Sequence, residues 1–178
     1  MCEFFSGILT KKGEILTSPD DSHETIKKAN KLDDTKPAGT NFIPFEVLPV
    51  KTIFDKPIAN NWNLKFSACS GSEIEKPNWV KNSHENAIWK EFKKQWNERI
   101  IQNQININLI NKQGLMLKDC KINSIENTNI KTMHNSSVGK MRGASSVGEM
   151  WDTSSVGKML DFRVSIKVFS DLVKIKSF

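Results

Sequence analysis

Three near-identical nine-residue units follow one another from Ser136 to Phe162, each opening Ser-Ser-Val-Gly and carrying Met141, Met150 or Met159 at its sixth position. This period excludes the two simplest elements. In a straight α-helix, nine residues at about 100° each bring successive valines to opposite sides; in a straight strand an odd period does the same, because side chains alternate faces. Burying Val138, Val147 and Val156 with the three methionines requires a chain that turns at least once per repeat and stacks each repeat on the last. That is the construction of a solenoid.

The same rhythm reaches further back. From Ile122 through Ile125, Ile130 and Met133 to Val138, the apolar steps alternate between three and five residues, so a degenerate array is expected to start near Leu117. A step of three cannot keep both side chains inward on a straight strand. A bend is expected between each Val and Met, at Gly139, Gly148 and Gly157. The serine pairs before each Val suit small internal ladders or corner hydrogen bonds.

The first hundred residues read differently. Residues 3–17 predict a β-hairpin turning at Gly13. Ser22 is placed to cap a short helix to Leu32, with Ile26, Ala29 and Leu32 inward and Glu24 at its positive end. Residues 31–41 read as a loop. Phe42 to Leu48 is β-rich, with Pro44 and Pro49 arguing for an edge position or a short strand, and Trp62 to Ala68 alternates as a strand. After Ser83, the residues Ile88, Phe92, Trp96 and Ile100 form the apolar stripe of a helix expected to pack on the preceding sheet, with Lys90, Lys93, Lys94 and Arg99 mainly elsewhere around it.

The expected architecture is an α+β N-terminal domain followed by a short β-solenoid-like repeat region. Its parts are a globular domain at 1–105, the solenoid at 106–162 and a C-terminal strand or cap at 163–178. Composition is compatible: 178 residues, ten Phe and five Trp supply a core, and the net charge of +6 is spread along the chain. Cys2, Cys69 and Cys120 lack metal-ligand spacing and fit reduced thiols. The opening lacks the basic start and apolar run of a secretory signal, and no run approaches the roughly 20 apolar residues of a membrane span. A cytoplasmic protein without a membrane partner, metal or cofactor is expected.

The repeat Ser145-Ser146-Val147-Gly148-Glu149-Met150-Trp151-Asp152 and its neighbours resemble those of uncharacterised phage and mobile-element proteins, in which a small N-terminal domain precedes tandem short repeats. Phe45-Glu46-Val47-Leu48-Pro49, the Trp62-led strand and Pro77-Asn78-Trp79 match further features of that group. Met1 to Ser6 and Asp21-Ser22-His23 are similar to other small phage proteins. The resemblance implies a phage or mobile-element origin, hence the host cytoplasm, and implies no activity.

Candidate chemistry is sparse. An N-terminal Cys2, freed of Met1, is a potential nucleophile using its own amine as base, and His23 is a candidate partner for its thiol. The strand after Cys2 resembles the opening of class II glutamine amidotransferases, although Glu3-Phe4 stands where that family carries Gly and Ile. An inert thiol is the competing reading. Asp21-Ser22-His23 holds the residue types of a catalytic triad, but a triad is spatial rather than consecutive, and a helix start explains the same residues. Lys90, Lys93 and Lys94 form a basic helical face suited to nucleic acid, with Trp62 or Trp79 for stacking; a solvated helix face is the alternative.

Within the repeats, Lys140, Glu149 and Lys158 share one variable position, and Arg142, Trp151 and Leu160 another. Trp151 is the best candidate for an exposed anchor. The expected function is protein binding without catalysis, with a component of host defence as one class of partner. Association of solenoid ends into a homo-oligomer is compatible with it. The Cys2–His23 enzyme and the nucleic-acid binder are the alternatives.

Overall fold

A computed structural model describes residues 5–32, 39–68, 72–160, 165–166 and 174–175. The chain divides into two compact units, Met1–Trp96 and Asn97–Phe178. The first is a small α+β unit and the second a β-solenoid-like stack of parallel strands.

In the first unit, β1 (Phe5–Thr10), β2 (Ile15–Thr17), β3 (Phe42–Pro49) and β4 (Trp62–Phe66) form an antiparallel sheet in the order β2-β1-β3-β4. All six residues of β1 are buried, because both faces of the sheet are covered. Ile26 of α1 (His23–Asn30) joins Ile8 and Phe42 on one face. On the other, Phe92 of α2 (Asn82–Arg99) lies 5.5 Å from the Phe5 ring and 4.7 Å from that of Trp62. Ser22 caps α1, its side chain accepting from the Thr25 amide.

Four local expectations are corrected. Ala29 is exposed, and Lys27 is buried on that helix instead, paired with Glu24. β3 is an inner strand despite Pro44. The Pro44 carbonyl accepts from Ser67, just past the end of β4, so its nitrogen faces the last position of the β3–β4 pairing, where the missing N–H costs one terminal bond rather than interrupting the ladder. Ile100 is the first residue of a strand rather than the last of the helical stripe. Arg99 is buried, its Nε donating to the Gly114 carbonyl, so it is no part of a solvated basic face.

The second unit starts its parallel ladder at Ile100, well before Leu117. Its strands are β5 (Ile100–Gln102), β6 (Ile105–Ile110), β7 (Leu115–Lys118), β8 (Lys121–Glu126), β9 (Asn129–His134), β10 (Ser137–Arg142), β11 (Ser146–Trp151) and β12 (Ser155–Met159). The short β13 (Ser165–Ile166) and β14 (Lys174–Ile175) add one strand to each sheet; the rest of the segment 163–178 expected to form a cap lies outside the described residues. Odd strands from β5 to β13 form one parallel sheet and even strands from β6 to β14 the other. Each coil therefore consists of two strands and spans two repeats, so Val138 pairs with Val156 and Val147 with Ile130. Between the sheets lies one apolar core containing Ile122, Ile125, Ile130, Met133, Val138, Met141, Val147, Met150 and Val156.

The corners explain why each repeat turns. Asp119, Asn127, Asn135, Gly143 and Asp152 all have φ between 45° and 59°, the left-handed region favoured by Asn, Asp and Gly. Immediately or two residues after each sits a buried Cys120, Thr128, Ser136, Ser145 or Ser154. These groups form two internal columns. Ser136 Oγ accepts the Cys120 amide at 3.1 Å, Ser154 Oγ the Ser136 amide at 3.3 Å, and Ser145 Oγ the Thr128 amide at 3.2 Å. Ser136 and Ser154 donate in turn to the carbonyls of His134 and Trp151. The first serine of each pair thus satisfies corner backbone that would otherwise be orphaned in a dry interior.

The glycines serve a purpose other than the expected one. Gly139, Gly148 and Gly157 are not in the left-handed region. A Cβ on Gly139 would stand 2.7 Å from the Asn123 carbonyl oxygen, one on Gly148 2.7 Å from that of Lys131, and one on Gly157 2.4 Å from that of Gly139. Val138 and Met141, and Val147 and Met150, are buried three residues apart, and between them only glycine allows the close approach of the preceding coil.

Candidate functional site: the two faces of the solenoid

Because a coil spans two repeats, alternate repeats face opposite ways. Gly139-Lys140 and Gly157-Lys158 lie on the β8–β10–β12 face, with Lys140 and Lys158 in register and Ser124 and Asn108 continuing the same column. Arg142 is on this sheet too, in register with Glu126. Gly148-Glu149-Met150-Trp151 belongs to the opposite sheet, where Glu149 pairs with Thr132 and Trp151 with His134. The variable positions that share one repeat position in sequence are therefore parted in space: Trp151 does not lie on one flank with Arg142.

The β8–β10–β12 face carries an open cleft of about 1050 Å³. Its floor is the column Asn123, Gly139 and Gly157. On one side stand Lys121, Ser137 and Ser155, and on the other Ser124, Lys140 and Lys158, with Arg142 beyond. Among the described residues that line it none is a carboxylate, and Glu126 stands in register with Arg142 on the same sheet. Lys121, Asn123 and Ser124 escaped the sequence reading; their only signal was a spacing of 16 residues from Ser137, Gly139 and Lys140 respectively, meaningful once the coil length is known.

On the opposite face, Trp151 remains 38% exposed. Its ring lies flat on that of His134, 6.2 Å between centroids and 11° between planes. Its Nε1 donates to Glu149, and Asp152 Oδ2 lies 3.3 Å from His134 Nδ1. Carboxylates on both sides fix the orientation of an exposed aromatic ring. His134 was likewise missed as its support.

The remaining candidates fall elsewhere. Lys90, Lys93 and Lys94 are exposed on α2, Lys94 3.5 Å from Glu91. The aromatic rings proposed to stack bases beside them are engaged in folding: Trp62 is buried, and the Trp79 Nε1 donates to the Gly39 carbonyl. His23 Nε2 contacts the Phe45 carbonyl at 3.1 Å; Cys2 and Cys69 lie outside the described residues. Ser22 and Asp20 serve the start of α1, where hydrogen bonds from Ser18 and then Thr25 hold the Asp20 carboxyl below its ordinary range. The Cys120 thiol is buried among corner carbonyls, and its burial pushes its pKa up, which suits a structural group rather than a nucleophile. Among the described residues, no cluster of His, Cys, Asp and Glu could hold a metal ion, and no helix is long and apolar enough to cross a membrane.

Fold and surfaces together define a two-unit repeat protein in which a β-solenoid displays two chemically different faces. Compared with protein-family models, with curated proteins and with solved structures, the chain has no match.

Proposed function

We propose that this chain is a non-catalytic protein-binding module that engages its partner through the side of the solenoid, with Trp151 as an anchor. One observation carries the reading: among the described residues of the solenoid Trp151 is the aromatic side chain left exposed, at a repeat position where Leu160 is exposed too, and its ring is held by His134 and Glu149. An amphipathic ring already fixed in place loses little conformational freedom on binding, and Trp is the residue type most enriched at interface hot spots. The resemblance of the repeat supports a phage or mobile-element origin, with a component of host defence as one class of partner.

The test is affinity capture from a bacterial lysate, followed by titration of the purified partner against the intact chain and a Trp151→Ala variant. Loss of about 2 kcal/mol or more in the variant, with its thermal unfolding unchanged, is the expected result. A captured partner that binds the variant equally well would remove Trp151 from the reading, and the absence of any stoichiometric partner would remove the reading itself.

A further inference from the structure

We propose that β6 is the docking edge for a second copy of this chain, two solenoids meeting end to end with their β6 strands antiparallel. This goes beyond the Trp151 reading, which concerns the side of the solenoid. β6 is the terminal strand of its sheet and, among the described residues, pairs with β8 alone. Asn111, just past its end, donates its N–H to the Glu126 carbonyl; by alternation, the main-chain groups of Asn108 and Ile110 turn to the open edge. Such edges are ordinarily guarded by charge or proline. This one reads Ile-Asn-Ile-Asn-Leu-Ile. Ile105 stands in register with Lys121 and Ile110 with Glu126, and one coil further on Arg142 follows at the Glu126 position. Charge thus occupies the inner strands, where no edge needs guarding, and isoleucine the strand where one does. Ile105 is 62% and Ile110 55% exposed, more than any other large hydrophobic residue described.

The interior is open at the same place. Ile107 is only partly buried against the core, whereas Ile122, its neighbour in β8, is buried. A strand that completes this end must therefore bring main-chain bonds, an inward apolar residue and an outer surface that tolerates two isoleucines. β6 itself supplies all three. With a two-fold axis beside Asn108, the outward N–H and C=O of that residue bond those of Asn108 in the second copy. Ile107 then lies opposite Leu109 of the second copy, which continues the interior, and Ile105 of either copy falls diagonal to Ile110 of the other in one outer strip. A two-fold contact uses the same patch on both molecules, and no like charges meet across it, since β6 carries none. Asn106, at φ 59° beside two register shifts, limits the regular edge to the residues after it and keeps the contact short. Both β6 edges are used up in the pairing, so assembly through them stops at two copies.

The experiment is sedimentation velocity of the full chain from about 5 to about 500 µM, a range that brackets dimers of micromolar affinity. The 20.2 kDa chain is expected to shift with concentration to a species of twice its mass, at low and high salt alike, because no ion pair holds the contact. I105K/I110K sets like charges across the two-fold on side chains that face solvent, and I110P removes an edge N–H without touching the core. Each is expected to raise the dissociation constant about tenfold or more, with thermal unfolding of the dilute chain unchanged; if one fails to fold, the other carries the test. Trp151→Ala is expected to dimerise as the parent does. A parent chain that stays monomeric throughout overturns the proposal, as does a dimer that persists in a folded edge variant. Growth beyond two copies overturns the two-fold in favour of a continuing stack. A dimer lost in Trp151→Ala moves the contact to the side of the solenoid. Dimerisation is scored with no partner protein present, so this inference and the Trp151 reading fail separately.

Discussion

Lys140 and Lys158 stand side by side in register on neighbouring parallel strands, whereas Glu149, at the same repeat position midway between them in sequence, lies on the opposite sheet against Thr132. A string that reads Lys, Glu, Lys thus becomes a lysine pair on one face and a carboxylate on the other. The solenoid sorts charge by repeat parity.

The pairing has an energetic signature of its own. Replacing Lys140 by Glu exchanges a like-charge neighbour for an opposite one, with an expected gain of about 0.2–1 kcal/mol. Chemical denaturation in urea at low and high salt measures it, and the gain should shrink as salt screens the pair.

Close coil contact makes the glycine column intolerant. Gly148→Ala would bring a Cβ to within 2.7 Å of the Lys131 carbonyl oxygen, which is backbone and cannot rotate away. A cost of about 1–3 kcal/mol is expected from overpacking, read as a lower denaturation midpoint. An unchanged midpoint would mean that the coils are not stacked as closely as described.

Corner hydroxyls are the next point of failure. Ser136→Ala leaves the buried Cys120 amide without its acceptor, at an expected cost of about 1–3 kcal/mol. Ser136→Thr, which copies Thr128 at the corresponding corner, should retain most of the stability. Equal loss from both substitutions would show that volume rather than hydrogen bonding governs the site.

Cys120 links the fold to pH. Burial raises its pKa from the ordinary 9.0, so above that pH the unfolded chain releases the thiol proton more readily than the folded one. Its contribution is fully present below the unfolded value and is lost as pH rises through the folded one. Unfolding free energies measured from pH 7 to 10.5 should fall more steeply in the parent chain than in Cys120→Ser. Identical slopes would place the thiol in contact with water. The same thiol should resist alkylation until the solenoid unfolds.

Much of this architecture can be read along the chain. Period nine rules out a lone helix or strand, Ser22 caps α1 where a hydroxyl is needed, and the stripe Ile88-Phe92 packs on the sheet as its spacing requires. Other features depend on partners far away in sequence. Pro44 sits in an inner strand because β4 ends beside it. Ile100 leaves the helical stripe because Met116 pairs with it in a parallel ladder. Gly139 is set by the approach of Asn123 from the coil before, which its own neighbours do not foreshadow.

The repeat alone determined that Val and Met would share an interior and that the chain would turn at least once per unit, since neither a straight helix nor a straight strand can bring every Val to one side. How many corners close a coil was decided only in three dimensions. Two parallel sheets enclosing one core of Val, Ile and Met bring the chain back after two repeats, and hydrogen bonding between coils locks that count. From this follow the open cleft, the stacked Trp151 and the separation between them.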